Sequence, residues 1–244
     1  MADKELMDYI ETKENAREGA GTRRAYSWET PPEPISEELI TETVKADVVI
    51  VGGGISGLGT GARCTEKGLS VIVLEKYKGL VARGAHIASL NSPVMREKGV
   101  FIDKQKFARE WMRISGSRVN EEFLWLYINK SEEALQWLVD LGGEDVTALL
   151  YGGYYKGPDF TEYPGTHVIV RKPGSTKYKY GGGAMLMCEI LQNVILEGGN
   201  KIIRNTRAEQ LEKDGSGRVV SVIAKGEDGK YRRFAGSRAV VLAT

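Results

Sequence analysis

Residues Ala46 to Lys76, ADVVIVGGGISGLGTGARCTEKGLSVIVLEK, constrain the fold more than any other part of the chain. Val48–Val51 is a short, wholly apolar run, as expected of a strand buried on both faces of a parallel sheet. It leads into Gly52, Gly54 and Gly57, spaced G-x-G-x-x-G. A helix-compatible stretch follows from Ile55 to about Lys67. A second apolar run, Val71–Leu74, then ends at Glu75.

Each part of this unit has a physical role. Gly52 permits a tight strand-to-helix turn, and Gly54 lacks the Cβ that would hold a pyrophosphate away from the backbone. Gly57 lets the helix lie close against the strand. The unpaired N–H groups around Ile55, Ser56 and Gly57, with the positive end of the helix dipole behind them, suit phosphate oxygens. Glu75 lies 18 residues past Gly57, where a carboxylate can accept hydrogen bonds from both hydroxyls of an adenosine ribose. The same carboxylate disfavours a 2′-phosphorylated ribose, a repulsion that Lys76 softens only in part. A lone glycine pattern is weak, but strand, glycines, helix, strand and acid in this order predict a dinucleotide-binding unit.

Composition narrows the remaining classes. The 244 residues are 41% hydrophobic, enough for one large domain or two small ones. The formal net charge of +1 gives no global field that would draw the chain to nucleic acid or to an anionic membrane. Cys64 and Cys188 lie far apart in helix-like segments and read as free thiols in a reducing cytosol. Two histidines and no C-x-x-C argue against a structural metal site. No run reaches the roughly 18 apolar residues that span a bilayer, and no apolar segment follows Arg23-Arg24 as an export signal requires. The expectation is a soluble, cytoplasmic protein.

Residues 1–45 differ from the rest of the chain, with eleven acidic and six basic side chains and a proline cluster at Pro31, Pro32 and Pro34. They read as an N-terminal extension: a short helix near Lys4–Arg17, then a strap anchored by Tyr26 and Trp28. Residues 46–244 form the second unit. Helices are expected over Lys104–Ile114, from about Asn120 to Leu141, and over Ala184–Leu196. The second of these places Leu124, Tyr127, Ile128, Ala134, Leu135 and Leu138 on one face and stops at Gly142-Gly143. Asp145–Gly182, rich in Tyr, Gly and Pro, reads as loops and short strands. Lys201–Arg204 reads as a strand, then Ala208–Lys213, Val219–Lys225 and Tyr231–Phe234 alternate around Asp214-Gly215 and Asp228-Gly229, a small antiparallel meander. A last apolar strand runs from Ala239 to Thr244.

The assembled order resembles the flavoprotein family of fumarate reductases and succinate dehydrogenases, which also includes 3-ketosteroid 1-dehydrogenases and urocanate reductases. The likeness covers about Ala46 to Thr244. It is carried by VVIVGGGISGLGTG with VIVLEK, by the segment from GGGAMLMCEILQ through TRAEQLEKDGSGRVVSVIA, and by the closing SRAVVLAT. In that family the closing strand continues into Gly-Gly, which implies that this sequence is an N-terminal fragment lacking the capping, substrate-binding domain. The implied fold is α/β, a Rossmann-like FAD-binding domain with helices on one face of a parallel sheet and an antiparallel meander on the other.

The implied cofactor is FAD. By the resemblance Gly52, Gly54, Ile55, Ser56 and Gly57 hold the pyrophosphate, with Glu75 on the ribose and Lys76 beside it. Ala208 matches the position whose backbone reads the adenine edge, and Ala243 and Thr244 match the strand end beside the cofactor. The loop Val81–Ser92 corresponds to the stretch that follows the pyrophosphate to the flavin ring, bringing in Arg83, Gly84, His86 and Ser89. The family's double glycine is missing there. For His86 three roles stay open: covalent attachment to flavin, noncovalent contact, and an unrelated loop histidine. Acid precipitation separates the first from the others, since only a covalent flavin stays with the protein.

His167, Tyr178, Tyr180 and Gly181–Gly183 have a reading near the substrate side and a plainer one as loop and turn residues. The family's chemistry is hydride transfer to or from an activated C–C or C=C bond of a small substrate such as an enoate or enone. The electron donor and the oligomeric state have no signature in the sequence. The family's proton-transfer group lies beyond Thr244, so no catalytic residue is assigned, and the chain alone is expected to bind FAD weakly at best and turn over nothing. Two alternatives remain: another FAD-dependent oxidoreductase class, and a non-catalytic dinucleotide-binding module. A disulfide-reductase type would carry a cysteine pair soon after Glu75, and none is there.

Overall fold

A computed structural model of the chain describes residues 30, 32–152, 161 and 163–244. The expected helix at Lys4–Arg17, the Tyr26 and Trp28 anchors and part of the Asp145–Gly182 segment lie outside the described residues. Ser36–Thr244 forms one compact unit.

The opening unit folds as strand β1 (Ile40–Val51), helix α1 (Ile55–Glu66) and strand β2 (Val71–Leu74). β1 starts well before the apolar run, so residues 40–45 are strand rather than strap. Strands β6 (Lys201–Ile203), β7 (Arg207–Lys213), β8 (Val219–Lys225) and β9 (Tyr231–Leu242) complete a six-stranded sheet. Its order is β6-β2-β1-β9-β8-β7. The first four run parallel, and β8 and β7 add to β9 in antiparallel sense.

Side-chain alternation along β1 and β2 explains how both faces become covered. Val48, Ile50, Val71 and Val73 pack with Leu58 and Ala62 of α1 and with Ile190, Leu191 and Ile195 of α5 (Gly183–Glu197). Val49, Val51, Ile72 and Leu74 turn the other way and meet Val222, Ala224 and Phe234 of the meander. The continuous apolar sequence follows directly, because neither face of these strands sees water. Helices on one face and meander on the other is the arrangement expected.

The segments read as separate strands at 231–234 and 239–244 form the single strand β9, with a register shift opposite Ala46 and Val48. At the shift a Cβ on Gly236 would lie 2.3 Å from the Ala239 carbonyl oxygen, so glycine lets the chain bulge without ending the strand. A polar sequence at a bulge gives no signal of continuity.

A second sheet, β3 (Ile87–Ala88), β5 (Thr166–Arg171) and β4 (Val146–Gly152), is antiparallel in that order. Beside it lie α2 (Pro93–Glu97), α3 (Lys104–Ile114) and α4 (Glu121–Gly142). Gly143 ends α4 with φ of 63°, as the glycine pair predicts. On the buried face of α4, Ser131 takes the place expected of Ala134, which is exposed. The Ser131 hydroxyl is buried because it accepts the Leu90 N–H at 3.1 Å. Cys188 is buried, Cys64 half-buried, and both are free.

Candidate active site: a phosphate cradle and its carboxylate

The turn after β1 is held by the two strands around it. Gly52 adopts φ of 109°, and a Cβ there would lie 2.3 Å from the Ala243 carbonyl oxygen. Its N–H donates to Leu74 O at 2.8 Å, while Ala243 N–H donates to Val51 O at 2.8 Å. Gly57 packs its Cα against the turn, since an added Cβ would stand 1.9 Å from Gly52 O. Only glycine allows the first turn of α1 to sit this close to the strand end. Gly54 is different: a Cβ there would meet nothing within 4 Å. It caps α1 without a side-chain hydrogen bond, leaving the first N–H groups of the helix without intrahelical partners.

Glu75 is only 6% exposed, and its carboxylate is fixed on both oxygens. Oε2 accepts the Gly53 N–H at 2.7 Å, and Oε1 accepts the Tyr77 N–H at 2.8 Å. A carboxylate has about four acceptor sites, so two remain for a ligand's hydroxyls. Gly53 is absent from the set that the sequence pattern picks out. A signal exists, a third glycine in an unbroken GGG, and its Cβ would press to 2.9 Å from Glu75 Oε2. Lys76 places its ammonium over the Tyr77 ring, 5.0 Å from the centroid.

These residues border one cavity of about 330 Å³. Of the expected positions, Gly52, Gly54, Glu75, Lys76, Ala208, Ala243 and Thr244 line it. Ala208 arrives on β7, shortly after Thr206, whose N–H donates to Glu75 O at 2.9 Å and ties the meander to the cradle. Ile55 and Ser56 are exposed at the start of α1, and Gly57 is buried beneath them. Val81, the first residue of the loop expected to follow the pyrophosphate, also lines the cavity, while sequence reasoning misses Tyr77, Thr206 and Arg207 there.

The loop residues stand elsewhere. Arg83, Gly84 and His86 are exposed between β2 and β3 and do not line this cavity. His86 lies against Tyr151, ring centroids 4.7 Å apart. Ser89 is fully buried and borders a separate cavity. The turn before α5 reaches this loop, because a Cβ on Gly183 would come within 3.1 Å of Ala85 Cα. Tyr178 belongs to the core, 2% exposed, with its hydroxyl donating to Gly142 O at 3.4 Å.

His167 is likewise structural. It is fully buried in β5, and a carbonyl can only accept, so Nδ1–H donates to Gly165 O at 2.8 Å. Nε2 then accepts the Ser92 hydroxyl at 2.7 Å, while Ser92 Oγ accepts the Met95 N–H at 3.2 Å and caps α2. Burial lowers the His167 pKa, which matches a neutral ring in this chain of bonds.

A strand–glycine turn–helix–strand unit with a buried carboxylate at the second strand end, on a sheet covered by helices and a meander, defines a dinucleotide-binding α/β domain. The chain belongs to the FAD binding domain family, whose model matches residues 47–244. The open space over Gly54, the uncapped helix start and the fixed carboxylate fit the diphosphate and ribose of that cofactor.

Among curated proteins the chain is 24% identical to the urocanate reductase of Eggerthella lenta over 97% of its own length and 37% of that protein's. It is 27% identical to the NADH:fumarate oxidoreductase of Klebsiella pneumoniae over 39% of its length and 11% of that protein's. The chain therefore spans little more than a third of these relatives at most. Among solved structures, 3-ketosteroid-Δ4-(5α)-dehydrogenase of Rhodococcus jostii superposes with a TM-score of 0.69 at 25% identity, covering 86% of this chain and 48% of that one. No helix among the described residues is long and apolar enough to cross a membrane.

Proposed function

We propose that this chain is the FAD-binding portion of a flavin-dependent oxidoreductase that transfers hydride to or from an activated C–C or C=C bond of a small enoate or enone. The observation that supports this most is the cradle itself: an uncapped helix N-terminus over an open glycine, with a backbone-oriented carboxylate across one cavity. The urocanate and fumarate reductases among its relatives support the C=C part of the reading.

On this reading the N–H groups of Ile55, Ser56 and Gly57 receive the diphosphate, which Gly52 and Gly54 allow to approach. Glu75 takes the ribose hydroxyls, and Lys76 stands beside it. Ala208 reads the adenine edge through its backbone, and Ala243 and Thr244 flank the cofactor. Arg83, Gly84, His86 and Ser89 belong to the stretch that leads toward the flavin ring. Bound FAD supplies the hydride chemistry; the chain supplies position and electrostatics. The setting proposed is the cytoplasm.

Purified protein titrated with FAD is expected to bind it saturably, seen as a change in flavin fluorescence. A protein that shows no such change at any FAD concentration yet binds another adenine dinucleotide would overturn the flavin reading.

A further inference from the structure

A second cavity, of about 410 Å³, lies away from the cradle and shares no lining residue with it. It opens where β3 and β5 meet α3 and α4, and Phe107, Trp111, Ile114 and Tyr127 supply much of its wall. Phe107 meets Tyr163 edge-on at 4.9 Å and Trp111 at 5.4 Å, so the wall is aromatic. Ser89 and Tyr163 also border it. Among the described residues these two carry the buried side-chain polar atoms that lack a hydrogen-bond partner, Ser89 Oγ and Tyr163 Oη. Leaving a buried hydroxyl unsatisfied costs about 1–3 kcal/mol, so two around one apolar space point to a partner that enters from outside.

The charge of that partner is constrained as well. Among the described residues no lysine or arginine borders the cavity, but Glu110 does. Its carboxylate accepts both Arg113 guanidinium N–H groups, at 2.7 and 2.9 Å, and is held ionised, its pKa lowered to about 2, first of all by those hydrogen bonds. Glu110 is thus already paired with its own arginine, and the rest of the described wall is apolar or hydroxylic, so it offers a ligand's carboxylate no cation to face. Tyr163, whose phenol is pushed up by burial and then by Glu110 against an opposing contact with the Thr161 side chain, stays protonated; that contact does not meet hydrogen-bond geometry, so the hydroxyl can still donate to a ligand. Volume, apolar lining and a few polar atoms match the usual anatomy of a small-molecule pocket.

We propose that this cavity is a second binding site, for a small neutral ring compound carrying one hydroxyl or carbonyl oxygen. The ring packs among Phe107, Trp111 and Tyr127, and the oxygen completes the hydrogen bonding of Ser89 and Tyr163. The cavity shares no lining residue with the cradle, but Ser89 lies in the stretch proposed to lead toward the flavin ring, so the test is made on the chain without FAD and again with FAD bound.

Titrations of the 244-residue chain with p-cresol, toluene and benzoate test this, read by calorimetry and by the part of the tryptophan emission that a Trp111→Phe variant loses. p-Cresol is expected to bind saturably. Toluene, without the oxygen, and benzoate, with a carboxylate, are each expected to bind about ten-fold more weakly. Ser89→Ala removes an unpartnered hydroxyl, so it should melt no lower than wild type while weakening p-cresol about five-fold. Ile114→Trp, at a half-exposed position of the wall, should fill the space and abolish binding. No saturable p-cresol binding, benzoate binding as well as p-cresol, or p-cresol affinity unchanged in both variants would each overturn the proposal.

Discussion

A methyl group at Gly54 would stand in open space, whereas one at Gly57 would press to 1.9 Å from the Gly52 carbonyl oxygen. On the proposed function the two glycines of one motif serve different ends, ligand approach at Gly54 and backbone packing at Gly57. Gly54→Ala is expected to change stability by no more than about 1 kcal/mol, the scale of an N-cap change, yet to weaken FAD about ten-fold or more by occupying the diphosphate's approach. Gly57→Ala is expected to destabilise the fold by about 3 kcal/mol through overpacking. Chemical denaturation and FAD titration on both variants separate the two roles. Equal effects on stability would contradict them. Glu75→Gln leaves an amide nitrogen facing a backbone N–H, because Gly53 and Tyr77 both donate to the carboxylate. It is expected to lose about 1–3 kcal/mol of stability as well as FAD affinity. A variant that loses affinity alone would show that the backbone bonds matter little.

At the scale of elements, the network from β5 to α2 through His167 and Ser92 gives a pH dependence with a definite sign. Burial lowers the folded-state pKa of His167 below the ordinary value of 6.5. The unfolded chain then binds the proton first on acidification, so the stabilisation is whole above 6.5 and is lost as pH falls toward the folded-state value. Melting curves across that window are expected to fall with decreasing pH, and His167→Gln should start lower but flatten the slope. An unchanged slope in the variant would assign the acid sensitivity elsewhere. None of this is legible in the sequence, where His167 reads as a loop residue with two open roles. Its role depends on a serine 75 residues away, and the short strands expected over Asp145–Gly182 carry no sign of how they pair or of what His167 meets. By contrast α1, β2, α3 and β8 stand where apolar period, caps and Asp-Gly turns predict them. The cradle glycines and Glu75 are legible for the same reason: their signals are local. The bond from Thr206 to Glu75 and the placing of Ala208 and Ala243 on one cavity join strands distant in sequence, which no local pattern encodes.

At the largest scale, the sheet places β1, β2, β7 and β9 so that their ends converge on one cavity, and a dinucleotide bound there as proposed would tie those strands together. A ligand that binds only the folded state adds about 2.7 kcal/mol at a concentration one hundred times its dissociation constant. In a domain of this size that corresponds to a rise in melting temperature of about 5–10 °C. The central claim, that the turn between β1 and α1 receives the diphosphate of FAD, is tested most directly by the FAD-induced melting shift of wild type beside Gly54→Ala. The expected result is a saturable shift in wild type that moves to at least about ten-fold higher FAD in the variant, with the two apoproteins melting close together. No shift in wild type at any FAD concentration, or the same titration midpoint in both proteins, would contradict it.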